Sequence, residues 1–133
     1  MTGWIIDKSV ATRLDNPHVA EQLVDADGPL YVCEIGLLEQ LYSAKNARDY
    51  DRLETILRTN FDVLSSPDDL LVSAQRLQRD LAHHRGLWHR RPIPDLLIAV
   101  TALHHNVGVV HADSNFDLIA QVRPLRSWKL HVT

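Results

Sequence analysis

Short, mostly apolar runs recur along this chain at Trp4-Ile5-Ile6, Leu30 to Cys33, Phe61 to Leu64 and Val107 to Val110, with helix-period stretches between them. This is the feature that most restricts the fold. A strand wet on one side alternates apolar and polar residues, whereas a strand covered on both sides reads as a continuous apolar run. Strands of the second kind, alternating with helices, predict a parallel sheet with helices on both faces. The expected class is therefore α/β, a three-layer α/β/α sandwich around a central, mostly parallel sheet.

The helices have readable starts. Asn16-Pro17 offers an Asn N-cap with Pro at the first helical position. A helix after the second strand carries Ile35, Leu38, Leu41 and Tyr42 at helical spacing, and Arg48 to Thr59 carries Leu53, Ile56 and Leu57 on one face. Ser66-Pro67-Asp68-Asp69 predicts a long helix with Ser66 as N-cap and Pro67 at the first position, running to about His84. Pro94-Asp95 opens another helix, and a last short strand is expected between Gln121 and Thr133. No repeat, linker or low-complexity tract divides the chain, so 133 residues predict one domain spanning 1–133.

Composition narrows the function. The net charge of −3 gives no bulk positive field, so a polyanionic partner has to be held by a local patch or through a metal ion. The single cysteine, Cys33, allows no internal disulfide and no thiolate-rich zinc site; it fits a reducing compartment and a small buried role. The N-terminus has no basic region before its apolar run, and no apolar run reaches membrane-spanning length. A cytoplasmic location is expected, with no membrane partner.

The acids fall where an open α/β sheet binds ligands, beyond the carboxyl ends of the strands. Asp7 ends the first strand. Asp113 and Asp117 follow the fourth. Asp95 heads an apolar helix, and Glu39 lies in the helix after the second strand. Clustered carboxylates repel one another and call for a cation, and oxygen ligands suit Mg²⁺ or Mn²⁺. Taken singly, each acid has a plainer role as a helix-start acid, a turn residue, a cap or a solvated position. Their joint placement favours a site.

The ordered segments "IIDKSV", "LLEQLYSA", "GLWHRRPIPDLLIA" and "VVHADSNFDLIA" resemble the motifs of PIN-domain ribonucleases, specifically the VapC-type toxins of bacterial toxin–antitoxin pairs. The resemblance covers nearly the whole chain. It implies an acidic quartet of Asp7, Glu39, Asp95 and Asp113, with Asp7, Asp95 and Asp113 holding Mg²⁺ (Mn²⁺ as substitute). Glu39 would ligate directly or orient the attack, and Ser9 would orient the first aspartate or its water. Glu34 is the rival for the helix acid, but the residues after Glu39 match better. Asn115 stands where many relatives have a second aspartate, and Asp117 offers partial compensation if it reaches the site. The implied activity is metal-assisted hydrolysis of RNA phosphodiesters, commonly in a single-stranded loop of transfer RNA or another structured RNA. The implied partners are a VapB-type antitoxin and a second copy of the chain.

Arg85, Arg90 and Arg91 form a basic stretch before Asp95, either an RNA phosphate clamp or a solvated loop. Trp88 within it either stacks on a base or packs on the body. The histidines match no zinc spacing, and His111 reads as structural. Two rival functions stand beside the nuclease. One is a degenerate PIN module that binds without cutting, suggested by Asn115. The other is a receiver-like signalling domain, disfavoured because no phospho-accepting Asp follows Phe61 to Leu64.

Overall fold

The computed structural model describes residues 2–132; Met1 and Thr133, the ends of the expected domain, lie outside them. The elements alternate in the order β1 (Trp4–Ile6), α1 (Lys8–Ala11), α2 (Pro17–Leu23), β2 (Leu30–Cys33), α3 (Glu34–Tyr42), α4 (Ala47–Asn60), β3 (Asp62–Leu64), α5 (Leu70–His84), α6 (Ile93–His105), β4 (Gly108–His111), α7 (Asn115–Ile119) and β5 (Ser127–Lys129). The strands form one sheet in the order β3-β2-β1-β4-β5. Every pairing is parallel, as the two-sided apolar runs predict.

Because successive strand side chains point to opposite faces, the inner strands feed two cores. Ile5, Cys33 and Val109 join Leu77, Leu81, Ile98, Ala99 and Phe116 on the face covered by α5, α6 and α7. Trp4, Ile6, Val32 and Val110 join Val10 and Val19 on the face covered by α1 and α2. Leu37, Leu41 and Leu57 pack α3 on α4. Gly108 is required by close approach: a Cβ there would lie 2.5 Å from the Trp4 ring. Asn106, at φ 57°, caps α6 in the left-handed conformation that Asn tolerates, and turns the chain into β4. Among the described residues no helix is long and apolar enough to cross a membrane.

Three expectations shift. The long helix does not start at Ser66-Pro67. Leu70 N–H bonds the Pro67 carbonyl at 3.1 Å as a turn, and α5 begins only after it, at Leu70. The Ser66 N–H donates to the Glu34 carboxylate, which ties this segment to α3. On α3 the buried face is Gly36, Leu37, Gln40 and Leu41, while Leu38 and Tyr42 are 62% and 91% exposed. Ile56 of α4 is likewise exposed. In these helices the spacing gave the period but not the phase, because apolar residues lie on more than one face.

The sheet order fixes the site. From β1 the chain builds outward through β2 to β3, then returns to build β4 and β5 on the other side. Connections diverge at the carboxyl ends of β1 and β4, which leaves a crevice there.

Candidate active site

Asp7 stands at this crevice as the last residue before α1. Its side chain caps the helix by accepting the Ser9 N–H at 3.1 Å on Oδ2. The Ser9 hydroxyl donates to the same oxygen at 2.6 Å and accepts the Ala112 N–H at 3.0 Å. Ser9 thus ties the end of β1 to the end of β4 and fixes the Asp7 carboxylate, which is almost wholly buried. Asp95, in the first turn of α6, is buried beside it. Half-buried Glu39 reaches the crevice from α3, more than one turn into that helix. Carboxylate oxygens of Asp7, Glu39 and Asp95 lie within 4.8 Å of one another.

Crowding and desolvation disfavour charge on these groups. Burial first, then the charges of Asp7 and Asp113, push the Asp95 carboxyl up to about 7, against the lowering effect of a hydrogen bond from Asn115. Burial, then Asp7, raises Glu39 as well, and Lys8 opposes the rise. A divalent cation would relieve this repulsion, and the hard oxygen donors fit one. The residues present therefore suit a metal ion.

Asp113 lines the same cleft but is not in the three-carboxylate group; its Oδ1 accepts the Asn115 N–H at 2.9 Å. Asn115 sits between acid and base: its Nδ2 donates to Asp95 Oδ2 at 2.9 Å, and its Oδ1 accepts from Arg91 Nη1 at 2.9 Å. Asp117 is turned away. Its carboxylate accepts the Ser127 hydroxyl at 2.6 Å and lies 3.4 Å from Nε2 of fully buried His111, so it braces β4 against β5. Glu34 is also elsewhere, on the Ser66 backbone.

The basic stretch divides. Arg91 is committed to Asn115, with its Nε buried. Arg85 and Arg90 are exposed. The Arg85 guanidinium lies 5.6 Å over the ring of Trp88, which packs against the core. Two basic residues on the cleft, Lys8 and Arg13, carry no motif that singles them out in the sequence. Arg13 donates to the Ser9 carbonyl. Recognising the four-residue helix that begins after Asp7 would have placed both beside the first acid.

The PIN domain family model matches residues 5–122. The chain is 51% identical over 127 residues to Ribonuclease VapC17 of Mycobacterium tuberculosis, covering 93% of this chain and 92% of that one. The chain belongs to the PIN-domain family, in its VapC branch. A second VapC relative from the same organism, Ribonuclease VapC21, is 36% identical over 91% of this chain and 88% of its own. Among solved structures, VapBC2 from Rickettsia felis bound to a promoter DNA fragment superposes with a TM-score of 0.77 at 15% identity, covering 98% of this chain and 100% of that one. VapBC-1 from nontypeable Haemophilus influenzae gives 0.72 at 18% identity over 97% and 98%. Membership in the PIN family removes the receiver-like reading. Within that VapC-type frame, the acids brought together are Asp7, Glu39 and Asp95; Asp113 borders them, and Asp117 lies outside.

Proposed function

We propose that this protein is the toxin of a type II toxin–antitoxin pair, a single-domain, Mg²⁺-dependent endoribonuclease that hydrolyses RNA. The observation that carries this reading is the meeting of Asp7, Glu39 and Asp95 at the sheet's crevice, in a chain half identical to a named ribonuclease. Asp7, Glu39 and Asp95 would hold the ion, with Asp113 adding negative charge from the cleft wall. Mn²⁺ is the expected substitute. When bound, the ion would supply Lewis-acid activation of water and charge stabilisation at the phosphate.

The chain's own residues do the positioning. Ser9 engages only Oδ2 of Asp7, so the other carboxylate oxygen makes neither of those bonds. Half-buried Glu39, holding the ion through one carboxylate oxygen, would orient the attacking water through the other. Lys8 and Arg13 are the two cations on a cleft that also holds Asp7, Glu39, Asp95 and Asp113, and would meet RNA phosphates there. A single-stranded segment, as in a transfer RNA loop, is the expected substrate, because unstacked bases are what proteins can read in RNA.

Exposed Leu38 and Tyr42 leave apolar surface beside Glu39. That supports a protein partner. We assign it to a cognate VapB-type antitoxin, with a homodimer as the working assembly and the cytoplasm as the compartment. The non-cleaving alternative rested on Asn115, and that residue leaves the three-carboxylate group intact.

Brief expression in bacteria, followed by sequencing of RNA ends, tests the proposal. Growth arrest with new, position-specific RNA ends that vanish in Asp7→Asn is the expected result. Arrest without new ends, or the same ends from Asp7→Asn, would reject it.

A further inference from the structure

We infer that Arg91 is a positioning residue that acts through Asn115, and that Asn115 serves the metal site as a hydrogen-bond donor to Asp95 rather than as a ligand. This rests on the metal-site reading above. The amide of an asparagine can be turned either way, but here chemistry decides it. Arg91 Nη1 can only donate, so the atom that faces it at 2.9 Å is Asn115 Oδ1. That choice turns Nδ2 toward Asp95 Oδ2, an acceptor at 2.9 Å. Arg91 therefore selects the amide orientation, and the amide occupies one Asp95 oxygen while the other stays free.

The same residue also holds Asp113, whose Oδ1 accepts the Asn115 backbone N–H at 2.9 Å. One residue thus links two acids from different elements, α6 and the loop after β4. An aspartate at 115 could still accept from Arg91 with one oxygen, but its second oxygen would face Asp95 acceptor to acceptor. Asparagine satisfies all these contacts without a proton or an ion between the two side chains. The arginine itself is half-buried, and its Nε is buried with no partner among the described residues, so it is poorly placed to reach out to a phosphate.

The two possible roles of Arg91 predict opposite signs. A bare cation near carboxylates repels a metal ion, so its removal should tighten metal binding. A residue that orients the Asp95 partner should weaken binding when removed. The test is calorimetric titration of Mn²⁺ into the whole protein without RNA, where phosphate contacts play no part. We expect Arg91→Met to weaken Mn²⁺ roughly tenfold, about the effect of losing one hydrogen bond to a charged group. Arg91→Lys, which keeps a donor, should recover most of the loss. Asn115→Ala alone should reproduce the loss, and Arg91→Met added to it should change nothing further. Arg91→Gln, too short to reach Asn115, carries the same test should the methionine variant fail to fold. Unchanged or tighter binding in the Arg91 variants, or a loss that persists undiminished in the Asn115→Ala background, would overturn the inference. No Mn²⁺ binding by the unaltered protein would instead overturn the metal reading itself and the inference with it.

Discussion

Replacing Asp95 by asparagine should make the metal-free protein more stable while it disables the site. Asp95 is buried among acids, and its carboxyl titrates near 7 rather than at the ordinary 3.8. For an acid raised in this way, the folded state binds more protons than the unfolded state between those two values. Stability conferred by the protonated form is therefore present at low pH and is lost as pH rises from about 4 to about 7. The full span corresponds to a ceiling of about 4 kcal/mol. Asp95 titrates together with the neighbouring acids, which share the repulsion, so the penalty expected for this one side chain is roughly 2 kcal/mol. Against this, the variant loses a helix-start acid worth about 0.5 kcal/mol. The Asn115 donor keeps an acceptor, because the side-chain amide introduced by Asp95→Asn still presents a carbonyl oxygen. Thermal unfolding in EDTA should then show the variant stabilised at pH 8 by about 1.5 kcal/mol, on the order of 5 °C. At pH 4, close to the ordinary carboxyl value, the gain should nearly disappear. A variant less stable than the parent at pH 8, or an equal gain at both pH values, would refute the reasoning. It would mean that Asp95 is only a helix-start acid.

Other outcomes follow from the same geometry. Ser9→Ala removes the hydroxyl that joins Asp7 to the Ala112 backbone, and Mn²⁺ titration should show weakening of about tenfold with the fold intact by circular dichroism. Mn²⁺ affinity should rise with pH up to about 7 and then level off, since Asp95 must give up its proton, and titrations from about pH 5.5 to about pH 8.5 would check this. If exposed Arg85 and Arg90 contact RNA phosphates, replacing both with Ala in an Asp7→Asn background should make log affinity less steep against log salt by about 1.4. Arg91 is left out of that pair because its guanidinium is engaged with Asn115.

Much of the architecture could be read from short apolar runs, because a strand of three or four residues with no polar side has few places to go. Trp4 to Ile6 and Leu30 to Cys33 were legible for that reason. The phase of α3 was not, since Ile35, Leu38 and Tyr42 form a second apolar face that the fold leaves exposed or half-exposed. The start of α5 was not legible either: the chain makes a turn over Asp68-Asp69, closed by Leu70 N–H on the Pro67 carbonyl, before the helix begins. The acids themselves were legible because β1 and β4 end at the switch in sheet order. What each acid touches was not. That Asp117 braces β5 depends on Ser127, and that Asn115 stands between Arg91 and Asp95 depends on α7 starting beside the first turn of α6.

The central claim is that the Asp7, Glu39 and Asp95 group cuts RNA with a divalent cation. Purified protein and an end-labelled single-stranded RNA, incubated first in EDTA and then with excess Mg²⁺, test it most directly. The expected result is intact RNA in EDTA, cleavage once Mg²⁺ is added, and no cleavage by Asp7→Asn under either condition. Equal cleavage in EDTA, or full cleavage by Asp7→Asn, would contradict it.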